Sequence, residues 1–472
     1  MRSRRSLGVA LAALLVATAC AGGGASPAAS PTTGAPTVAA SPTTGAPTMA
    51  ASPATGAPTE AASPGGSPAA TSPSEPTEAV NLRFATYVWQ PATVEATDQI
   101  VADWNAANPN IQVEIVPIDV NTVHDALVTQ FQGGTAADII HNEAGDLAGF
   151  VNQGFLADMT PLIPEELMSD APEGIWDSIT YDDKIYAAPL LLQSYVVFAN
   201  AGHLEEAGIE QPTIDAPWTW DDLQEHAQTL TTGDRFGLAW GLRSPVAAIL
   251  STSLNFDGQF FYDEGGTTVV RVGEGEREIL SRVHEMTYTD NAIDPATLGA
   301  SGSDNLAAFL AGRFSMFIGG NFYGQQLIEQ APEDFEWVML PLLRGDSQTQ
   351  NANPQTLSIA TQSEHPEEAM QFITFFTQAE NLSRLAMGDW LVPATTSAGE
   401  AVLEETGGEN GWDVVVSSTE HLSVAPFLKL EDFPQWRDQI ATPGMQQYFA
   451  NQIDLDTLAR QLEEGWAQIS GG

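Results

Sequence analysis

The chain has 472 residues, 43% of them hydrophobic, and a formal net charge of −45 from 61 acidic against 16 basic residues. That length suits one large two-lobed unit or roughly two to three domains. The charge excludes sequence-independent nucleic-acid binding, which needs basic patches, and disfavours adsorption to anionic lipid. It can act as a solubilising surface or as a field that draws cationic ligands. The single cysteine, Cys20, excludes an intramolecular disulfide and a cysteine-based zinc cluster.

The chain opens with three arginines (Arg2, Arg4, Arg5) and then an apolar run from Leu7 to Ala19. This is the pattern of an export signal, and the run is too short to stay in a bilayer, which takes roughly 20 residues. Val16-Ala17-Thr18-Ala19-Cys20 resembles a bacterial lipobox, which implies a signal peptide over 1–19 and lipidation of Cys20. A plain signal peptide is the alternative, and Ser3 to Leu7 also resembles a twin-arginine signal. Residues 20–79 are almost wholly Ala, Gly, Ser, Pro and Thr, with an eleven-residue unit at Ser30–Ala40, Ser41–Ala51 and Ser52–Ala62. The unit has no apolar face, so the segment cannot offset its ordering entropy and is expected to be a disordered spacer.

The remainder reads as alternating strands and helices. Asn81 to Trp89 predicts a first strand. Val94 to Asn108 has helical spacing (Val94, Thr97, Ile100, Val101, Trp104) and is stopped by Asn108-Pro109. Ile111 to Val116 alternates as a second strand. Val120 to Phe131 predicts a second helix, closed by Gly133-Gly134, and Ala137 to Ile140 a third strand. Strand, helix, strand, helix, strand is the order of a parallel α/β sheet with right-handed crossovers. Ligands in such sheets sit beyond the carboxyl ends of the strands, which puts Trp89, Gln90, His141, Asn142 and Glu143 forward.

Several runs, taken in order, resemble the family 1 extracellular solute-binding proteins, the sugar-binding components of ABC importers. They are Trp104-Asn105 with Asn108 to Val113, Gly133 to Ile140, Gly154 to Met159 and Asp183 to Pro189. Val197 to Asn200, Leu204 to Ile209 with Pro217 to Leu223, and Ala308 to Met316 continue the pattern across nearly all of residues 80–472. The resemblance implies a two-lobed α/β fold of the periplasmic-binding-protein type (type II) with a ligand cleft between the lobes. It implies a first lobe of 80–190 and 342–427 and a second of 191–341 and 428–472. It further implies a small-molecule solute, a carbohydrate above all, with ABC permease subunits as partners. It implies a monomer held to the outer face of the cell membrane by its lipid anchor.

A sugar presents apolar C–H faces and a ring of hydroxyls, so its site needs flat aromatic surface and planar polar groups shielded from water. The expected ligand contacts are Trp89, Gln90, Asn142, Glu143, Gln193 and Tyr195 on the first lobe and first crossing. Trp240, Asn321, Phe322, Tyr323, Asp389 and Trp390 complete the set. Trp218 and Trp220 flank a helix start at Thr219 and are expected to pack and cap. The seven histidines are scattered without HExxH spacing, so no metal is expected, and no cofactor. There is no G-x-S-x-G elbow, P-loop or strand-linked G-x-G-x-x-G, so the expectation is a binder and not an enzyme. The rival readings are a binder of a cationic solute such as a polyamine, and a secreted carbohydrate-active enzyme using paired carboxylates.

Overall fold

The computed structural model describes residues 79–471. Cys20, the 1–19 leader and the spacer, Ala79 apart, lie outside the described residues. The first lobe begins with β1 (Val80–Val88), a helix at Pro91–Ala107, β2 (Ile111–Asp119), a helix at Val123–Gly133 and β3 (Ile139–Glu143). Pro91 is the first helical residue, where its missing N–H costs nothing and its fixed φ suits the helix. Gly134 ends the next helix at φ 64°, a left-handed cap that glycine adopts without strain. Trp104 is buried, and its indole N–H donates to the carbonyl of Ile111 at 2.9 Å, pinning helix to strand.

The chain continues through β4 (Ala188–Pro189), β5 (Leu191–Leu192) and β6 (Tyr195–Asn200), then β7 (Phe236–Trp240), β8 (Phe314–Gly320) and β9 (Trp337–Leu340). It returns through β10 (Gln350–Ala352) and β11 (Gln355–Ile359), and later adds β12 (Val392–Pro393) and β13 (Leu422–Val424). Two sheets result. The first has five strands in the order β2-β1-β3-β11-β4, and the second has four in the order β9-β6-β8-β7. β1 pairs in parallel with β2 and β3, as the strand-helix alternation predicts, while β11 runs antiparallel to β3. Outside these sheets, β5 pairs with β12 and β10 with β13, so four separate stretches of chain meet in two short ladders.

Two boundaries differ from the sequence reading. β3 runs on to Glu143, so Asn142 is inside the sheet, opposite Thr356, and Glu143 ends the strand. The partner that extends it, β11, lies more than 200 residues downstream, where local patterning cannot show it. After β9 the segment 341–349 stays with the second lobe: Arg344 N–H donates to Trp218 at 3.0 Å and Ser347 N–H to Asn255 at 3.0 Å. The chain recrosses at β10.

Each lobe carries its own aromatic core. In the first, Phe84 packs edge-on against Phe372 and Phe376. In the second, Trp220 stacks on Trp240 and Phe261 is ringed by Phe427, Phe433, Trp436 and Trp466. Such pairs add about 0.5–1.5 kcal/mol each beyond the area they bury. No helix among the described residues is long and apolar enough to cross a membrane.

Candidate functional site

A cavity of about 180 Å³ lies where the crossing strands meet the two sheets. That is roughly the volume of six liquid waters, the scale of one small ring. Its lining converges from both lobes. Glu143 and Gln355 come from β3 and β11 of the first sheet, and Tyr195 from β6 of the second. Ser251 comes from the helix Val246–Ser253, and Leu191, Gln193, Asn351, Asn353 and Leu391 from the crossing stretches.

The crossing stretches are fastened by amides. The Gln350 side chain, 2% exposed, clasps the main chain of Tyr195, accepting from its N–H at 2.7 Å and donating to its carbonyl at 2.8 Å. Asn351 Oδ1 accepts from the N–H of Ala425, and its own N–H donates to Ser251 Oγ, both at 3.0 Å. Asn321 Nδ2 donates to the carbonyl of Trp390 at 2.9 Å, and its Oδ1 accepts from the N–H of Ser194 at 3.0 Å. Both ends of that amide are therefore committed within the protein.

Glu143 is exposed to the cavity yet surrounded by protein, the position of a group on the floor of a cleft. One carboxylate oxygen accepts from Asn353 Nδ2 at 3.0 Å. Desolvation raises its pKa first, and the negative charge of Asp146 adds to the rise. Desolvation also raises the Tyr195 hydroxyl well above the ordinary phenol value, while the Gln193 side chain hydrogen-bonds to it.

Behind this floor lies a buried polar chain. His141 Nε2 sits 3.1 Å from Gln355 Oε1, and its Nδ1 lies 2.9 Å from Thr86 Oγ1. The neutral tautomer with its proton on Nε2 satisfies both contacts. Burial lowers the His141 pKa to about 4. Its ring stacks on Tyr87, with centroids 4.0 Å apart. Asp389, 1% exposed, accepts from Trp89 Nε1 at 2.5 Å and Thr93 Oγ1 at 2.6 Å. Desolvation raises its pKa, and the hydrogen bonds from Thr93, Trp89 and Gln355 oppose the rise.

The expected contacts thus separate into groups. Glu143, Gln193 and Tyr195 line the cavity. Trp89, Gln90 and Asp389 form a cluster at the end of β1, with Gln90 Nε2 donating to the Asp389 carbonyl at 3.3 Å. The Trp89 ring reaches across to Phe322 of the second lobe, 5.3 Å between centroids and edge-on. Asn142 is fully buried in the first sheet, accepting from Thr356 Oγ1 at 2.9 Å. Trp240, 1% exposed, is core, and Trp220 against it donates to Asn255 Oδ1 at 2.8 Å. Tyr323 is buried beneath β8 against Phe317. Trp390 sits at φ 55° at the end of the helix Ala379–Asp389 and stacks on Trp412 at 4.7 Å. Gly319 and Gly320 make room for Tyr323 and Phe322: added Cβ atoms would come 2.7 and 2.3 Å from those rings. Thr219 caps its helix reciprocally with Asp222, as the flanking sequence predicts.

The sequence reading did not single out Ser251, Asn351, Asn353 and Gln355. One signal was present, the amide-rich run Gln350-Asn351-Ala352-Asn353-Pro354-Gln355, too polar for an ordinary buried strand. Among the described residues no group of three or more His, Cys, Asp or Glu side chains could hold a metal ion.

A family model described as bacterial extracellular solute-binding protein matches residues 90–382. An uncharacterized lipoprotein from the region 5′ of oleD in Streptomyces antibioticus is 38% identical over 391 residues, 82% of this chain and 86% of that protein. A putative binding protein of Brucella abortus is 22% identical over 323 residues, 67% of this chain and 76% of that one. Among solved structures, an ABC substrate-binding protein of Listeria monocytogenes in complex with cycloalternan has a TM-score of 0.71 at 21% identity, covering 84% of this chain and 100% of that one. The sugar-binding protein MalE of Xanthomonas citri has a TM-score of 0.72 at 19% identity, covering 83% and 98%. The two structural likenesses concern the fold: two α/β lobes with a cleft between them.

Proposed function

The chain belongs to the bacterial extracellular solute-binding proteins, and on that premise we propose that it captures a carbohydrate between its lobes and delivers it to the membrane subunits of an ABC importer. The observation that carries the ligand class is the cavity lining. Amides, two hydroxyls and one carboxyl converge from both lobes over aliphatic walls of Leu191, Ala247 and Leu391. Planar polar groups of this kind pair with adjacent sugar hydroxyls, and the aliphatic walls meet the C–H faces. The two structural neighbours, one in complex with cycloalternan and the other a sugar-binding protein, support the same class.

Capture follows from the lining's double origin. A solute touching Glu143 and Gln355 on one side and Tyr195 and Ser251 on the other favours the state in which the lobes are together, by its differential contacts alone. The crossing strands absorb the motion. A division into a first lobe that begins with 80–190 and resumes where the chain recrosses at β10, with a second lobe between, belongs to this reading. So do lipidation of Cys20, a monomeric state and a place on the outer face of the cell membrane. Binding without catalysis is supported by the lining's single carboxyl, because glycoside hydrolysis generally needs a pair.

The test is a thermal-shift screen of the exported protein against mono- and oligosaccharides, polyamines and amino acids. A ligand at about 100 times its Kd adds about 2.7 kcal/mol of stability. A shift with a sugar and no product supports the reading. Shifts confined to amino acids or polyamines replace the ligand class, and product formation replaces binding by catalysis.

A further inference from the structure

The cavity is chemically one-sided. Of its lining side chains only Glu143 is ionisable near neutrality, and no Lys, Arg or His is among them. Asn353 holds one Glu143 oxygen at 3.0 Å, while the other has no hydrogen-bond partner among the described residues. Asp146 adds negative charge close enough to raise the Glu143 pKa. Arg437 is the cation that opposes this, and its guanidinium is engaged with Asp438 at 2.7 and 3.1 Å. Behind the floor, His141 is neutral and Asp389 is buried.

We infer that the solute is an amino sugar whose protonated amine sits against the free oxygen of Glu143. The inference rests on the carbohydrate reading above and narrows it. Lobe closure removes water from Glu143, and a carboxylate taken out of water without a countercharge is costly. No lining side chain supplies that countercharge, so it comes from the ligand unless Glu143 itself takes up a proton. A protonated amine donates to the carboxylate and also neutralises its charge, whereas a hydroxyl gives the hydrogen bond alone. A neutral hexose hydroxyl leaves the charge uncompensated, and a uronate or sugar phosphate brings like charge against it. The field of a chain with net charge −45 also concentrates cations at its clefts.

The experiment is calorimetric titration of the full exported protein at neutral pH. The probes are D-glucosamine and its β-1,4-linked dimer, glucose, cellobiose, N-acetyl-D-glucosamine, D-glucuronate and putrescine. The expected result is roughly tenfold tighter binding of the amine than of its neutral counterpart. The gap should narrow as salt is raised, since salt screens the long-range field by which the acidic chain draws a cation. Glu143→Gln is expected to weaken the amino sugar roughly tenfold and the neutral sugar by less. The melting temperature of the unliganded variant reports its folding. Neutral sugars binding as tightly as amino sugars, or glucuronate binding best, overturns the inference and leaves the carbohydrate reading standing. Putrescine binding with no sugar bound, or no probe bound at all, overturns both.

Discussion

The indole N–H of Trp89 donates to the carboxylate of Asp389 at 2.5 Å across 300 residues of sequence, while the same ring meets Phe322 edge-on at 5.3 Å. One side chain thus joins the end of β1, the helix Ala379–Asp389 and the second lobe.

Removing the acceptor strands its donors. Asp389→Ala leaves the half-buried Trp89 indole N–H without its acceptor, while the Thr93 hydroxyl keeps only the Gly388 carbonyl at 3.2 Å. The expected loss is about 1–3 kcal/mol of unfolding free energy. Urea unfolding at neutral pH measures it, and an unchanged midpoint refutes the assignment.

Phe322→Ala removes a ring contact that joins the two lobes. The pair is worth about 0.5–1.5 kcal/mol, so solute affinity should fall roughly two- to tenfold. Small-angle scattering of the unliganded variant should show a larger radius of gyration. Unchanged affinity and unchanged size together would refute an interlobe role.

Tyr195 and Trp240 should behave oppositely. Tyr195→Phe deletes a hydroxyl at the cavity wall and should cost about 0.5–1.5 kcal/mol of binding with little change in melting temperature. Trp240→Ala, in the core against Trp220, should cost about 3–5 kcal/mol of stability and leave the Kd of the folded protein unchanged. A Trp240→Ala protein that stays stable but no longer binds would place this ring in the site after all.

The pH dependence of stability should carry His141. Its folded pKa is lowered from 6.5 to about 4 by burial, so below pH 6.5 the unfolded chain binds the proton that the folded chain refuses. Stability contributed by the neutral ring is full above pH 6.5 and is lost as pH falls toward 4, on the order of 3 kcal/mol. Glu143 and Asp389, whose pKa values are raised, work in the opposite sense over the acid range. Comparison of urea midpoints for the wild type and His141→Asn at pH 7, 5.5 and 4 isolates the ring's part. Parallel curves would refute it.

Local patterning made the first sheet legible. Strand periods, Pro91 and the Gly133-Gly134 stop are short-range signals, and β1, β2 and β3 follow them. The helix start at Thr219 was readable for the same reason, and the structure adds Asp222 as its reciprocal capping partner. The site was readable only in part. Glu143 and Tyr195 follow from the rule about strand ends and from the first crossing. Trp240 met the same rule and went into the core, because its strand is the edge of the second sheet and Trp220 covers it. Nothing local separates a Trp at a strand's end that faces a cleft from one that faces a helix.

What the sequence determined by itself is what depends on neighbours along the chain. This covers the leader, spacer and lipobox patterns, the order of strands and helices, the helix caps, and the charge that keeps nucleic acid away. What only the tertiary structure decided is which distant groups share a volume. Asn353 and Gln355 come beside Glu143 because β11 pairs antiparallel with β3, and Asp389 reaches Trp89 because its helix packs beside the one that follows β1. The physical reason is that hydrogen bonding and burial act over a few ångströms in space, whatever the separation along the chain.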